Sequence, residues 1–136
     1  MSNEIEKHYD DEDIQRINLD RDIKLWKTEI DFLVEELDFY VKFLESALVK
    51  EKNNQDLKQL HEKVEKLADI TKEYSDKVIE FDHEAEGIIE CDDLSCEVFF
   101  LNAHLRMKDK LNEHLKVSRD LKKEIFRQLS STFIKE

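Results

Sequence analysis

The segment Glu80-Phe81-Asp82-His83 places a carboxylate and an imidazole one helical turn apart. That spacing serves di-iron sites in helical bundles, which need two such pairs and two further glutamates pointing inward. The chain supplies one pair, and Phe81 occupies the apolar stripe of its helix, so Glu80 and His83 are expected to face water. His61 and Glu65 have the i, i+4 spacing of ligands on a helix, but their polar surroundings mark them as ordinary surface residues. The histidines at 8, 61, 83, 104 and 114 are too scattered for a cluster of inward imidazoles. No transition-metal site and no cofactor is expected, because the donor set is incomplete.

Cys91 and Cys96 could carry redox or metal chemistry. Their spacing is not the two-residue knuckle of a zinc site, and there is no second pair. The surrounding carboxylates disfavour thiolate formation, so two reduced, partly buried thiols are expected, ahead of the alternative of a regulatory disulfide across the turn. Catalysis lacks a motif altogether: there is no glycine-rich phosphate loop, Gly-x-Ser-x-Gly elbow or His-Glu-x-x-His. No catalytic residue is assigned, and the chain is expected not to be an enzyme.

Charge narrows the partners. The 136 residues carry 22 basic and 34 acidic side chains, a net −12, which argues against binding nucleic acid or an anionic membrane. Between Lys77 and Arg106 there is no Lys or Arg, while Glu80, Asp82, Glu84, Glu86, Glu90, Asp92, Asp93 and Glu97 all fall there. This acidic tip, Glu80 to Glu97, could attract a basic partner or divalent cations. No stretch is apolar enough to cross a membrane, and the first residues lack a secretory signal. The location expected from these features is cytoplasmic.

The elements that position these groups are few and long. The chain has no proline and one glycine, Gly87, so it lacks the residues that make sharp turns. Leu19, Ile23, Trp26, Ile30, Leu33, Leu37, Tyr40, Leu44 and Ala47 alternate spacings of four and three, which predicts a helix over about 11–52. Leu57, Leu60, Val64, Leu67, Thr71, Tyr74, Val78, Phe81, Ala85 and Ile88 do the same over about 55–87. In the third helix, about 93–134, the seam is Leu94, Val98, Leu101 and Leu105. It slips at Lys108, as a stutter does, and resumes through Leu111, Leu115, Leu121, Ile125, Leu129 and Phe133.

An asparagine at 53 or 54 is expected to make the first reversal. Gly87 in a left-handed conformation, followed by Ile88, is expected to end the second helix, with Asp92 or Asp93 capping the third. Residues 1–12 read as an acidic, flexible arm. The whole, 1–136, is thus expected to be one all-α domain, an elongated antiparallel three-helix bundle of coiled-coil type, open to completion by dimerisation. The shape is similar to that of spectrin repeats, an analogy of architecture that carries no motif residue.

The first helix has more apolar circumference than one seam requires. Leu25, Phe32, Phe39 and Phe43 lie off the seam, and Phe99 and Phe100 repeat the problem on the third helix. A surplus of this kind marks an interface with a second copy, forming a dimer, or with another protein. The functional expectation is therefore a non-enzymatic bundle acting through protein–protein association, as a self-assembling or scaffold protein. Two alternatives are a metal-binding bundle with a carboxylate/His site between chains, and an acidic mimic of nucleic acid that occupies a basic protein.

Overall fold

The computed structural model describes residues 2–87, 91 and 93–133, with side chains from residue 16 onward. It is all-helical: α1 spans Ser2–Lys50, α2 spans Gln55–Ala85 and α3 spans Leu94–Phe133. α1 starts well before Asp11, so residues 2–12, expected as a flexible arm, have helical backbone. Nothing in that stretch breaks a helix, and Glu4, Glu6 and Asp10 lie toward the positive end of the dipole. α2 and α3 end within two residues of the expected bounds; Ile88, Asp92 and Ile134 lie outside the described residues.

The first reversal is a short turn closed by Asn54. Its side-chain oxygen accepts from the Leu57 backbone N–H at 3.1 Å, which caps one of the free donors at the start of α2. Asp93 caps α3 in the same way, accepting from the Cys96 N–H at 2.8 Å. Gly87 is different from expectation. No glycine has positive φ, and α2 instead runs into a short tight turn at Glu86 and Gly87. The glycine is explained by crowding: a β-carbon there would stand 3.2 Å from Phe100 Cζ.

α1 and α2 form a tightly packed antiparallel pair, and α3 approaches either of them much less closely. Two clusters make the core. One joins Leu33, Leu37, Leu44 and Ala47 of α1 to Leu57, Leu60, Val64 and Leu67 of α2, with Ile125 of α3. The other joins Leu19, Ile23, Trp26 and Ile30 to Val78, Phe81 and Ala85, with Leu111. Low numbers of α1 thus meet high numbers of α2, while α3 runs alongside α1 in the same direction. Over their described residues both predicted seams are buried, except that Tyr40 and Tyr74 are half-buried. Trp26 and Phe81 meet at 6.1 Å between ring centroids, and Phe100 packs half-buried against the same cluster.

The first part of α3 overturns the sequence expectation. Leu94, Val98, Leu101 and Leu105 are exposed, Leu94 at 73%. The side chains turned inward are Phe100, His104, Met107, Leu111, His114, Ser118, Leu121 and Ile125. These keep an unbroken four-three alternation, so the stutter at Lys108 does not occur. α3 stays in one phase, set by Leu111 and Ile125, and that phase carries His104 inward in place of Leu105.

Polar partners on the other helices make this phase tolerable. His104 Nε2 lies 2.7 Å from Asp22 Oδ2, and the ring packs 5.6 Å from Trp26. A carboxylate can only accept, so Nε2 carries the hydrogen. His114 Nε2 lies 2.7 Å from Thr71 Oγ1, which itself donates to the Leu67 carbonyl at 2.7 Å. Nε2–H of His114 therefore donates to Thr71. Tyr74 covers the ring at 4.6 Å, and burial pushes the imidazole pKa below its ordinary value of 6.5.

Candidate functional site

The off-seam residues of α1 lie where a helix with too much apolar surface must put them, on the flank that α2 does not cover. Phe32 and Phe39 are each 60% exposed, Leu25 and Phe43 somewhat less. One helical face brings them into line, since 25, 32 and 39 are a heptad apart and Phe43 follows Phe39 by one turn. Phe39 and Phe43 stand 6.0 Å apart between centroids.

α3 continues this surface with residues other than those expected. Phe126 packs edge-on against Tyr40 at 6.1 Å, and Phe133 against Phe43 at 6.2 Å. Both remain exposed, at 57% and 42%. The result is a group of rings across the α1–α3 boundary that no part of the described chain covers. Tyr40 forms its floor; burial first, and then the Glu36 carboxylate, push its phenol pKa up.

Phe99 and Phe100 are not part of this group. They pack on each other at 5.4 Å near the start of α3, with Phe99 exposed and Phe100 half-buried beside Gly87. The sequence signal for the α3 half was present: Phe126 and Phe133 are seven residues apart, and Val98 and Leu105 precede Phe126 at the same heptad position. Assigning Leu94, Val98, Leu101 and Leu105, and Phe133 itself, to the buried seam hid it.

Between the aromatic group and the middle of α3 lies an open cleft of about 240 Å³, lined by Glu29, Phe32, Leu33 and Glu36 from α1 and Leu115, Ser118, Arg119 and Lys122 from α3. Lys122 donates to Glu36 at 3.1 Å, one of the ties that hold the two helices side by side. The cleft has no convergent nucleophile or general base. It is a seam between helices.

Two of the chemically suggestive sets assemble differently from expectation. His61, expected to be a plain surface residue, bridges α1 and α2: its Nε2 faces Glu45 at 3.4 Å and its Nδ1 faces Glu65 at 3.2 Å. These groups lie close enough together to hold a cation. The carboxylates, however, sit on opposite edges of the ring, so an ion on either nitrogen meets one of them directly. Among the described residues Glu80 and His83 join no such cluster, in keeping with their outward placement.

Cys91 and Cys96 correct the expectation of free thiols. They form a disulfide, with Cα atoms 5.5 Å apart. The cap at Asp93 turns the chain back so that Cys96, in the first turn of α3, reaches Cys91 before it. Acidic surroundings disfavour a thiolate nucleophile, but they do not prevent two thiols held at bonding distance from pairing.

Among the described residues, no helix is long and apolar enough to cross a membrane. No family model, curated protein or solved structure matches this chain, so the geometry of its surface is the ground on which function must be read.

Proposed function

We propose that this is a non-enzymatic helical bundle that works by protein–protein association, and that the ring-lined boundary between α1 and α3 is the contact. The observation that carries the reading is the joined, exposed set Phe39, Phe43, Phe126 and Phe133, extended along α1 by Phe32 and Leu25. Single exposed apolar residues are normal on any protein, but a contiguous strip of large rings marks a surface that is covered when the protein works. Aromatic side chains also dominate the energetics of interfaces. The reading keeps the elongated, coiled-coil-like bundle and the cytoplasmic location expected from the sequence. A reducing cytoplasm would hold Cys91 and Cys96 open, so thiol titration of freshly isolated protein tests the location.

Light scattering on a size-exclusion column tests the contact. The wild-type chain is expected to run above the mass of one copy at tens of micromolar. Phe39→Asp is expected to lower that mass to one copy while leaving helical circular dichroism intact. A strictly monomeric wild type, or a Phe39→Asp chain that unfolds, overturns the reading.

The metal-binding alternative has one observation behind it, the Glu45, His61 and Glu65 group, which lies within one chain and not between chains. Metal analysis of untagged protein decides it. Less than about a tenth of an equivalent of bound metal removes it, since a resident ion held by protein ligands stays with the fold.

A further inference from the structure

The groove between α1 and α3 has lips of opposite sign. On α1, the two heptad positions that face it hold Asp22, Glu29 and Glu36 between Asp22 and Ser46, with no basic residue. On α3, the positions shared by Leu115 and Phe126 hold Lys108, Arg119 and Lys122 between Leu94 and Phe133, with no acidic residue. Part of this charge is matched inside one copy: Glu36 with Lys122, and Asp22 with His104 and, at 3.9 Å, Lys108. Glu29 and Arg119 line the cleft beside Phe32 with no ion partner within 4 Å among the described residues.

Building on the association reading above, we infer that the partner on this groove is a second copy of the chain, related by a two-fold axis along the helices. Because α3 runs in the same direction as α1, turning one copy about that axis lays the acidic lip of α1 on the basic lip of the partner's α3. It does so on both sides of the groove at once. The same operation keeps levels matched, so the α1 rings at 39 and 43 meet the partner's α3 rings at the same height. Glu29 and Arg119 then find each other across the interface.

An antiparallel pairing does the opposite. It sets α1 on α1 and α3 on α3, which brings like charges together in the middle and places the ring-rich end over the Leu101 and Leu105 end. A surface whose lips differ in sign at the same level is complementary to itself only under the long-axis operation. A foreign partner would have to reproduce both lips, whereas a second copy supplies them by construction.

The test combines mass with distance. Spin labels on Lys52→Cys, in a Cys91→Ser/Cys96→Ser background, sit at the α1–α2 turn. In the long-axis dimer the two labels are expected within about 25 Å, a spacing set by helices of ~10 Å diameter. In an antiparallel dimer they separate by roughly the length of α2, whose 31 residues span about 45 Å. Charge reversal gives a second readout: Glu29→Lys and Arg119→Glu should each weaken dimerisation about tenfold, and a one-to-one mixture of the two should recover it.

A dimer with labels at the long distance overturns this two-fold while leaving association through the groove in place. A dimer indifferent to Phe39→Asp, or a wild type that stays monomeric, overturns both. A mixture no tighter than its components also overturns the two-fold.

Discussion

The α1–α2 pair and α3 are built from the same kinds of residue, yet they solve the packing problem in different ways. α1 and α2 bury largely apolar seams against each other, with Leu37, Leu44, Leu57, Leu60 and Val64 wholly inaccessible. α3 turns His104, His114 and Ser118 inward and leaves Leu94, Val98, Leu101 and Leu105 outside. The pair is held by area removed from water, which is insensitive to orientation. α3 is held in good part by hydrogen bonds, which demand particular partners at particular heights. α3 is thus the adaptable element, with one face satisfied inside the molecule and the other still offering apolar surface.

The largest effect should come from opening the pair. Leu37→Ala removes buried methylenes between α1 and α2 and is expected to cost about 3 kcal/mol in urea unfolding. Leu101→Ala on the exposed face of α3 should stay within about 0.5 kcal/mol of wild type. Equal losses at the two positions would erase the contrast and place Leu101 in the core.

Next in size is the polar seam. Thr71→Val takes away the oxygen that receives Nε2–H of His114, leaving that donor buried without a partner. A loss of about 1–3 kcal/mol is expected. Hydrogen exchange should show the loss first in α3, since its amides have the less protected setting. A uniform loss across all three helices would show that α3 does not open separately.

The pH response sharpens the same point. His114 is held below the ordinary 6.5 by burial, so the unfolded chain binds the proton more readily than the folded one. The contribution of the neutral ring is complete above pH 6.5 and is lost as pH falls through that value toward the folded pKa. Asp22 and Lys108 lie near the other inward histidine, whereas Thr71, Tyr74 and Ser118 are the polar groups around His114. His114→Gln should therefore flatten the stability profile between about pH 7 and 5. An unchanged profile would assign that dependence to groups other than His114.

The smallest effect sits at the α2–α3 turn. Gly87→Ala gains about 0.5 kcal/mol by restricting the unfolded chain but presses on the Phe100 ring, so a near-neutral or slightly destabilising result is expected. With Phe100→Leu the obstruction is gone, and the same change should become stabilising. A glycine indifferent to residue 100 would sever this turn from α3.

Much of this was legible along the chain. The scarcity of Gly and Pro set long helices; the alternation from Leu19 to Ala47 and from Leu57 to Ala85 marked the buried faces. The surplus at Phe32, Phe39 and Phe43 marked what stays outside. Those readings hold because helix periodicity is local, fixed by 3.6 residues per turn whatever the helix packs on. The α3 half of the proposed association surface was hidden, with Phe126 left unassigned and Phe133 placed in the buried seam, because the stripe of leucines looked like the better core.

What tertiary structure alone decided is which of the two faces of α3 turns inward. That choice depends on Asp22 and Thr71, 82 and 43 residues away from the histidines they receive. It depends also on Phe100 resting against Gly87, and on a cap at Asp93 that brings Cys96 to Cys91. Three long helices and an apolar excess on α1 follow from local residue pattern alone. Where that excess joins α3 is a matter of phase between helices, and phase is set by groups that only folding brings together.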